Sequence, residues 1–189
     1  MADIFLECDS CNGKRFKEKI LEVKIKGKNI FDVLDMTIED SLKFFENSKT
    51  IINKLRPLND VGLGYLKLGQ SSSTLSGGEA QRLKLASYLI QDNKVSKNNS
   101  LFIFDEPTSG LHNMDIENFM KSVNDLIARD NSVIIIEHNT ELIKQADWII
   151  DMGPGGGENG GSICFEGDPP ELINTNNHKT GKYLRKRFV

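Results

Sequence analysis

The chain has 189 residues, with 24 basic and 27 acidic side chains, a net charge of −3 and a pI near 5.7. That length buries one substantial core with a small appendage. The charge excludes a globally basic nucleic-acid binder and leaves room for a local basic patch. No apolar run approaches the roughly 18 residues of a membrane-crossing helix, and no signal-peptide pattern opens the chain. Three cysteines, two of them in Cys8-x-x-Cys11, make no secreted disulfide framework, so a reducing cytoplasm is the expected compartment.

The first motif is Cys8-Asp-Ser-Cys11-Asn-Gly-Lys-Arg-Phe16. Zinc needs four ligands in a tetrahedron, and one such knuckle supplies two. No second knuckle follows, so Cys8 and Cys11 read as half of a zinc site, with two free thiols as the plain alternative. Leu21, Val23 and Ile25 alternate with charged residues, which predicts a half-exposed strand. Gly27-Lys28 would turn it towards a partner strand at Ile30-Phe31. Thr37-Ile-Glu-Asp40 has the form of a capping box and predicts a helix through Phe44 and Phe45. A further helix is expected from Asn47 to Leu55, stopped by Pro57.

Leu63 to Gln70 leads through the polar loop Ser71–Thr74 into Thr74-Leu-Ser-Gly-Gly-Glu-Ala80. Ser76 takes the N-cap position of a helix, with Glu79 three residues on to complete the box. Gly77 and Gly78 leave the first-turn N–H groups open, and with the positive end of the helix dipole they make an anion site suited to phosphate. Ala80, Leu83, Ala86 and Ile90 define the expected buried face.

Leu101-Phe-Ile-Phe104 is a continuous apolar run, expected to be a parallel strand buried on both faces. It ends in Asp105 and Glu106, with Pro107 stopping the strand. Open α/β sheets bind ligands beyond the carboxyl ends of their strands, so both acids project towards a site. The pair suits Mg-nucleotide chemistry: Asp105 can hold the metal through water and Glu106 can orient an attacking water. A helix is predicted over Asn113 to Ala128, with Ile116, Phe119, Met120 and Val123 inward. Asp130-Asn131 then turns the chain into Val133–Ile136, a second apolar strand that runs into Glu137 and His138.

Glu141 to Ala146 reads as a helix, and Trp148-Ile-Ile150 as a short buried strand ending at Asp151. The glycine-rich segment 153–161 lacks the Lys-Ser or Lys-Thr of a phosphate loop, and reads as a turn feeding a hairpin over Ser162–Gly167. Cys164 would be a small apolar filler there. Pro169 to Leu172 opens a short helix. The tail carries Lys179, Lys182, Arg185, Lys186 and Arg187, which read as a solvated face.

Taken together, Leu75-Ser-Gly-Gly-Glu79, the Asp105-Glu106 strand end and His138 resemble, in order and spacing, the signature, Walker B and switch motifs of ATP-binding cassette (ABC) ATPases. The resemblance implies an α/β fold: a partial ABC-ATPase (P-loop NTPase-like) domain with a parallel sheet flanked by helices, a small zinc-module remnant and a helical signature subdomain. The expected divisions are 1–30 for the remnant, 31–92 for the signature subdomain and 93–189 for the Walker B and switch lobe. It further implies that Ser76, Gly77, Gly78 and Glu79 contact the γ-phosphate of ATP held by an opposite domain. Asp105 would hold Mg, and Glu106 and His138 would be the catalytic pair.

Beyond these motifs, Cys8-x-x-Cys11-x-Gly-Lys-Arg, Val33-Leu-Asp-Met-Thr37, Leu68-Gly-Gln70, Gly110-Leu-His112, Glu137-His-Asn139, Ala146-Asp-Trp148 and Asp151-Met-Gly-Pro-Gly-Gly156 resemble the carboxyl-terminal part of the bacterial excinuclease family UvrA. These are damage sensors of nucleotide excision repair. Membership implies ATP and Mg as cofactors. As partners it implies DNA, the excinuclease component UvrB and a second copy, with no membrane. It also implies zinc, held only when a second cysteine pair joins Cys8 and Cys11. The sequence departs from the family in having no Gly-x-x-x-x-Gly-Lys-[Ser/Thr], so Met1 reads as an internal start and the isolated chain is expected to be inactive. Three rivals stand beside this reading. A transporter ATPase fits poorly with the cysteine knuckle and His112. A chromosome-maintenance ATPase would need heptads before the signature. A non-enzymatic relic, used for dimerisation or DNA contact, fits poorly with an intact Glu106 and His138.

Overall fold

The computed structural model describes residues 8–90, 99–157, 160–175 and 178–185. The chain divides into two compact units, Met1–Lys97 and Asn98–Val189.

The first unit is helical: α1 (Glu18–Leu21), α2 (Ile30–Asp35), α3 (Ile38–Phe44), α4 (Lys49–Leu58) and α5 (Gly77–Ile90). The alternating segment forms no strand. Val23 and Ile25 are exposed, and the segment makes only an isolated bridge between Ile25 and Lys28. A local signal wins over the alternation. The Asn29 side chain accepts from the Asp32 N–H while the Asp32 carboxylate accepts from the Asn29 N–H, so a helix starts where the return strand was expected.

Thr37 caps α3 as its sequence predicts, its hydroxyl oxygen accepting the Asp40 N–H at 3.0 Å. Pro57 does not stop α4 but sits inside its last turn. Gly62 then kinks the chain at φ +77°, a region glycine enters without a Cβ clash. The core joins Ile38, Leu55, Val61, Leu63 and Leu66 to Leu85 and Ala86 of α5. The buried face of α5 is therefore rotated from the expected one: Arg82, Leu85 and Ala86 lie inside, while Ile90 is exposed.

In the second unit, β1 (Leu101–Asp105) runs parallel to β2 (Ser132–Ile136), in register from Leu101 opposite Ser132 to Asp105 opposite Ile136. The crossover is α6 (Asn113–Ile127), which buries Ile116, Phe119, Met120 and Val123 as predicted. Phe104 meets Phe119 edge-on, ring centres 5.9 Å apart. Among the described residues only that face is covered. Leu101 and Ile103 are 58% and 62% exposed and Ile134 and Ile136 are 50% and 54% exposed, so β1 is not buried on both faces. The sheet formed by the described residues is two-stranded, and α6 packs on one side of it.

A second two-stranded sheet pairs β3 (Ile149–Gly153) antiparallel to β4 (Ser162–Gly167), so the segment expected to be a hairpin by itself is one strand, paired with the strand before the glycine-rich turn. Ile149 alone of the Trp148–Ile150 run is buried; Trp148 and Ile150 are exposed, as is Cys164, which fills no core. The strand presents Ile150 and Met152 away from the helices. Its inner side packs Ile149 against Leu172 of α8 (Pro169–Asn174) and Leu184 of α9 (Lys179–Arg185). The helix after β2, α7 (Thr140–Ile143), is shorter than predicted. Lys179, Lys182 and Arg185 are exposed, with Arg185 Nε donating to the Ile173 carbonyl at 3.0 Å; Lys186 and Arg187 lie outside the described residues.

Gly181 lets α9 close on α8, since an added Cβ would run into the Leu172 carbonyl oxygen. Gly181→Ala should therefore lower stability by about 1–3 kcal/mol, measured as a lower urea midpoint with an unchanged slope.

Candidate nucleotide site

In the first unit the box at the start of α5 forms as predicted. The Ser76 N–H donates to Glu79 Oε2 at 2.6 Å, and the Glu79 N–H donates to Ser76 Oγ at 3.3 Å. Ser76 and Gly77 are exposed, and the side of Gly77 where a Cβ would stand has no heavy atom within 4 Å. The first-turn N–H groups have no helical carbonyl behind them, so this open tip fits an anion. A third member of the box is invisible to any local pattern: the Tyr65 hydroxyl, fourteen residues upstream, donates to Glu79 Oε1. That bond, with the Ser76 N–H, holds the Glu79 carboxyl below its ordinary range. Burial and the adjacent carboxylate push the Tyr65 hydroxyl up. Gln70 donates to Thr74 Oγ1 at 3.2 Å and bonds within its own loop.

In the second unit the parallel register delivers the other residues side by side. The Glu106 N–H donates to the Ile136 carbonyl at 2.9 Å, which extends the β1–β2 ladder by one bond. Glu106 takes φ +47° and turns the chain out of the sheet, with Pro107 and Thr108 buried behind it. Its carboxylate is 60% exposed and lies 3.8 Å (Oε1) from Nδ1 of His138, whose side chain is 82% exposed. Asp105, directly before it, is exposed. Two exposed carboxylates in sequence suit Mg, which takes one or two carboxylates and keeps several waters.

No role was expected of Glu137, yet it organises this corner. Its side chain is 3% exposed. Oε1 accepts the Thr108 N–H at 3.0 Å and the Thr108 hydroxyl; Oε2 accepts the N–H groups of His138 at 2.9 Å and Asn139 at 3.1 Å. Burial opposes the charge, but the bonds from Thr108, Asn139 and His138 outweigh it and hold the carboxyl below its ordinary range. The available signal was an acid directly after an apolar strand. His112 stands apart, exposed at the N-cap of α6.

Cys8 and Cys11 lie on one tight turn, the Asn12 and Cys11 N–H groups both donating to the Cys8 carbonyl. The Ser10 backbone and the Cys11 thiol hold the Cys8 thiol below its ordinary range. Among the described residues no group of three or more His, Cys, Asp or Glu side chains is placed to hold a metal, so the residues present do not fit a complete zinc site.

A parallel sheet flanked by a helix, with acids at its carboxyl edge, and a helical unit with a capped helix tip make up a partial ABC-ATPase fold of the α/β class. No family model matches the chain. It is 50% identical over 186 residues to UvrABC system protein A of Mycoplasmopsis pulmonis, covering 98% of this chain and 19% of that protein. It is 51% identical over 186 residues to UvrABC system protein A of Clostridium perfringens, with 98% and 20% covered. Among solved structures, the crystal structure of UvrA2 from Deinococcus radiodurans superposes with a TM-score of 0.79 at 40% identity, covering 95% of this chain and 22% of that one. The chain thus matches the carboxyl-terminal region of UvrABC system protein A and spans about a fifth of the length of the curated relatives it matches. No described helix is long and apolar enough to cross a membrane.

Two outcomes follow from the carboxylates. Tyr65→Phe should raise the Glu79 titration midpoint towards the ordinary glutamate value of about 4.3, read from its carboxyl carbon by NMR. Because the folded-state value of Glu137 is depressed, its contribution is present above about pH 4.3 and lost as pH falls through the folded value. Urea unfolding across that window should show this loss, and Glu137→Gln should reduce it.

Proposed function

We propose that this chain is the carboxyl-terminal part of the DNA-damage-recognition ATPase of nucleotide excision repair, carrying the signature, Walker B and switch segments of one ATPase module. The observation that carries the reading is the meeting of Glu106 Oε1 and His138 Nδ1, 3.8 Å apart at the carboxyl ends of two parallel strands. The identity shared with UvrABC system protein A supports it.

In this reading Asp105 would hold Mg, which when bound would supply positive charge to neutralise the phosphates. Glu106 orients the attacking water and receives its proton, the task of a general base at hydrogen-bond reach. His138, beside it and open to solvent, donates a hydrogen bond to the terminal phosphate and registers its loss. Ser76 Oγ and the N–H groups of Gly77 and Gly78 bind phosphate held by an opposing module, with Glu79 fixing the turn. The sequence contains no Gly-x-x-x-x-Gly-Lys-[Ser/Thr], so in this reading the loop that grips the phosphates comes from outside these 189 residues. Cys8 and Cys11 bind zinc only with a second cysteine pair from outside. DNA, the excinuclease component UvrB and a second copy are the partners proposed for the longer protein. The free thiols of Cys8, Cys11 and Cys164 suit a cytoplasmic setting.

The chain by itself should turn over ATP negligibly. Joined to the phosphate-loop part of a relative it should hydrolyse ATP, and Glu106→Gln should then lower kcat about 10²- to 10⁴-fold while ATP affinity is retained. Substantial turnover by the chain alone, lost on Glu106→Gln, would place the phosphate grip within it. Unchanged turnover by the joined Glu106→Gln protein would sink the role given to that carboxylate.

A further inference from the structure

We propose that Glu137 is a positioning residue that sets the distance between the acid at Glu106 and the histidine at His138. The proposal rests on the nucleotide-site reading for its purpose, but not for its geometry.

The two catalytic candidates sit on separate strand exits. Glu106 lies between β1 and Thr108, and His138 directly follows Glu137 at the end of β2. Both side chains are exposed, and packing contributes little to holding either. Beyond the rung from the Glu106 N–H to the Ile136 carbonyl, one buried carboxylate ties the two exits together, its oxygens divided between them. Oε1 takes the backbone and hydroxyl of Thr108, two residues past Glu106; Oε2 takes the backbone of His138 and Asn139. Four donors converging on two oxygens make an ionised carboxylate the matching group. Asn139 in turn accepts the Glu141 N–H at 2.9 Å and caps α7, so the His138 side of the clamp is anchored to a helix.

The chemistry makes the assignment specific. Glutamine has nearly the same shape but only one acceptor oxygen, and its NH₂ group would face N–H donors on the other side. It can satisfy one exit, not both. Glu137→Gln should therefore free one loop while leaving the sheet and α6 intact.

The test uses NMR on the 189-residue chain at one fixed pH near neutrality. In the unmodified protein, Glu106→Gln should shift the imidazole resonances of His138, and the amides of Thr108, His138 and Asn139 should be protected from hydrogen exchange. In Glu137→Gln, at least one side of the clamp should exchange about 10- to 100-fold faster, with Phe104 and Val123 amides unchanged. The effect of Glu106→Gln on His138 should fall to a small fraction of its former size. Should Glu137→Gln fail to fold, Thr108→Val removes the hydroxyl bond while sparing the carboxylate, and should weaken the same coupling in part. The proposal is overturned if either folded variant leaves the coupling at full strength, or if the three amides exchange as before. No nucleotide enters these measurements, so failure of ATP binding and failure of the clamp give different results.

Discussion

The parallel register of β1 and β2 is the constraint from which the candidate site follows. Asp105 lies opposite Ile136, and the Glu106 N–H takes the Ile136 carbonyl as the last rung of the ladder. Two chain segments therefore leave the sheet at the same level, one carrying the acid and the other the histidine. A slip of one residue would turn every side chain to the opposite face. The burial of Phe104 against Phe119 specifies which register is kept, because only one face of β1 has a described helix to meet.

Each unit organises its candidate residues with a carboxylate that accepts backbone N–H groups. Glu79 does so at the tip of α5, with Tyr65 on its second oxygen, and Glu137 does so between two strand exits. In both, the carboxyl is held below its ordinary range by its donors. Such bonds are stronger than neutral ones and fix backbone geometry without needing a large apolar core around the loop. That suits residues whose side chains must stay open to solvent.

Much of this was legible where the signal is local. The Ser76–Glu79 box, the Thr37 cap, the inward face of α6 and the acids closing β1 all depend on residues within a few positions of one another. What the sequence concealed depends on distant partners. The clamp by Glu137 needs Thr108 brought beside it by strand pairing, and the Tyr65 bond crosses fourteen residues. The errors have the same origin. The alternation around Val23 reads as a strand only if a partner covers it, and the Asn29 capping box turns the expected partner at Ile30-Phe31 into a helix. The run Leu101–Phe104 reads as doubly buried only if both faces are covered, and α6 covers one.

The backbone at Glu106 adds a last consequence. A glutamate at φ +47° occupies a conformation that costs an L-residue about 1 kcal/mol or more and costs glycine almost nothing. The backbone there favours glycine, whereas the role proposed for Glu106 requires a carboxylate. A lineage released from the need for hydrolysis would gain robustness by drifting to glycine there, whereas one kept under that need must carry the strain. On the role proposed for Glu106, glycine at this position would mark a domain relieved of turnover and glutamate one that keeps it.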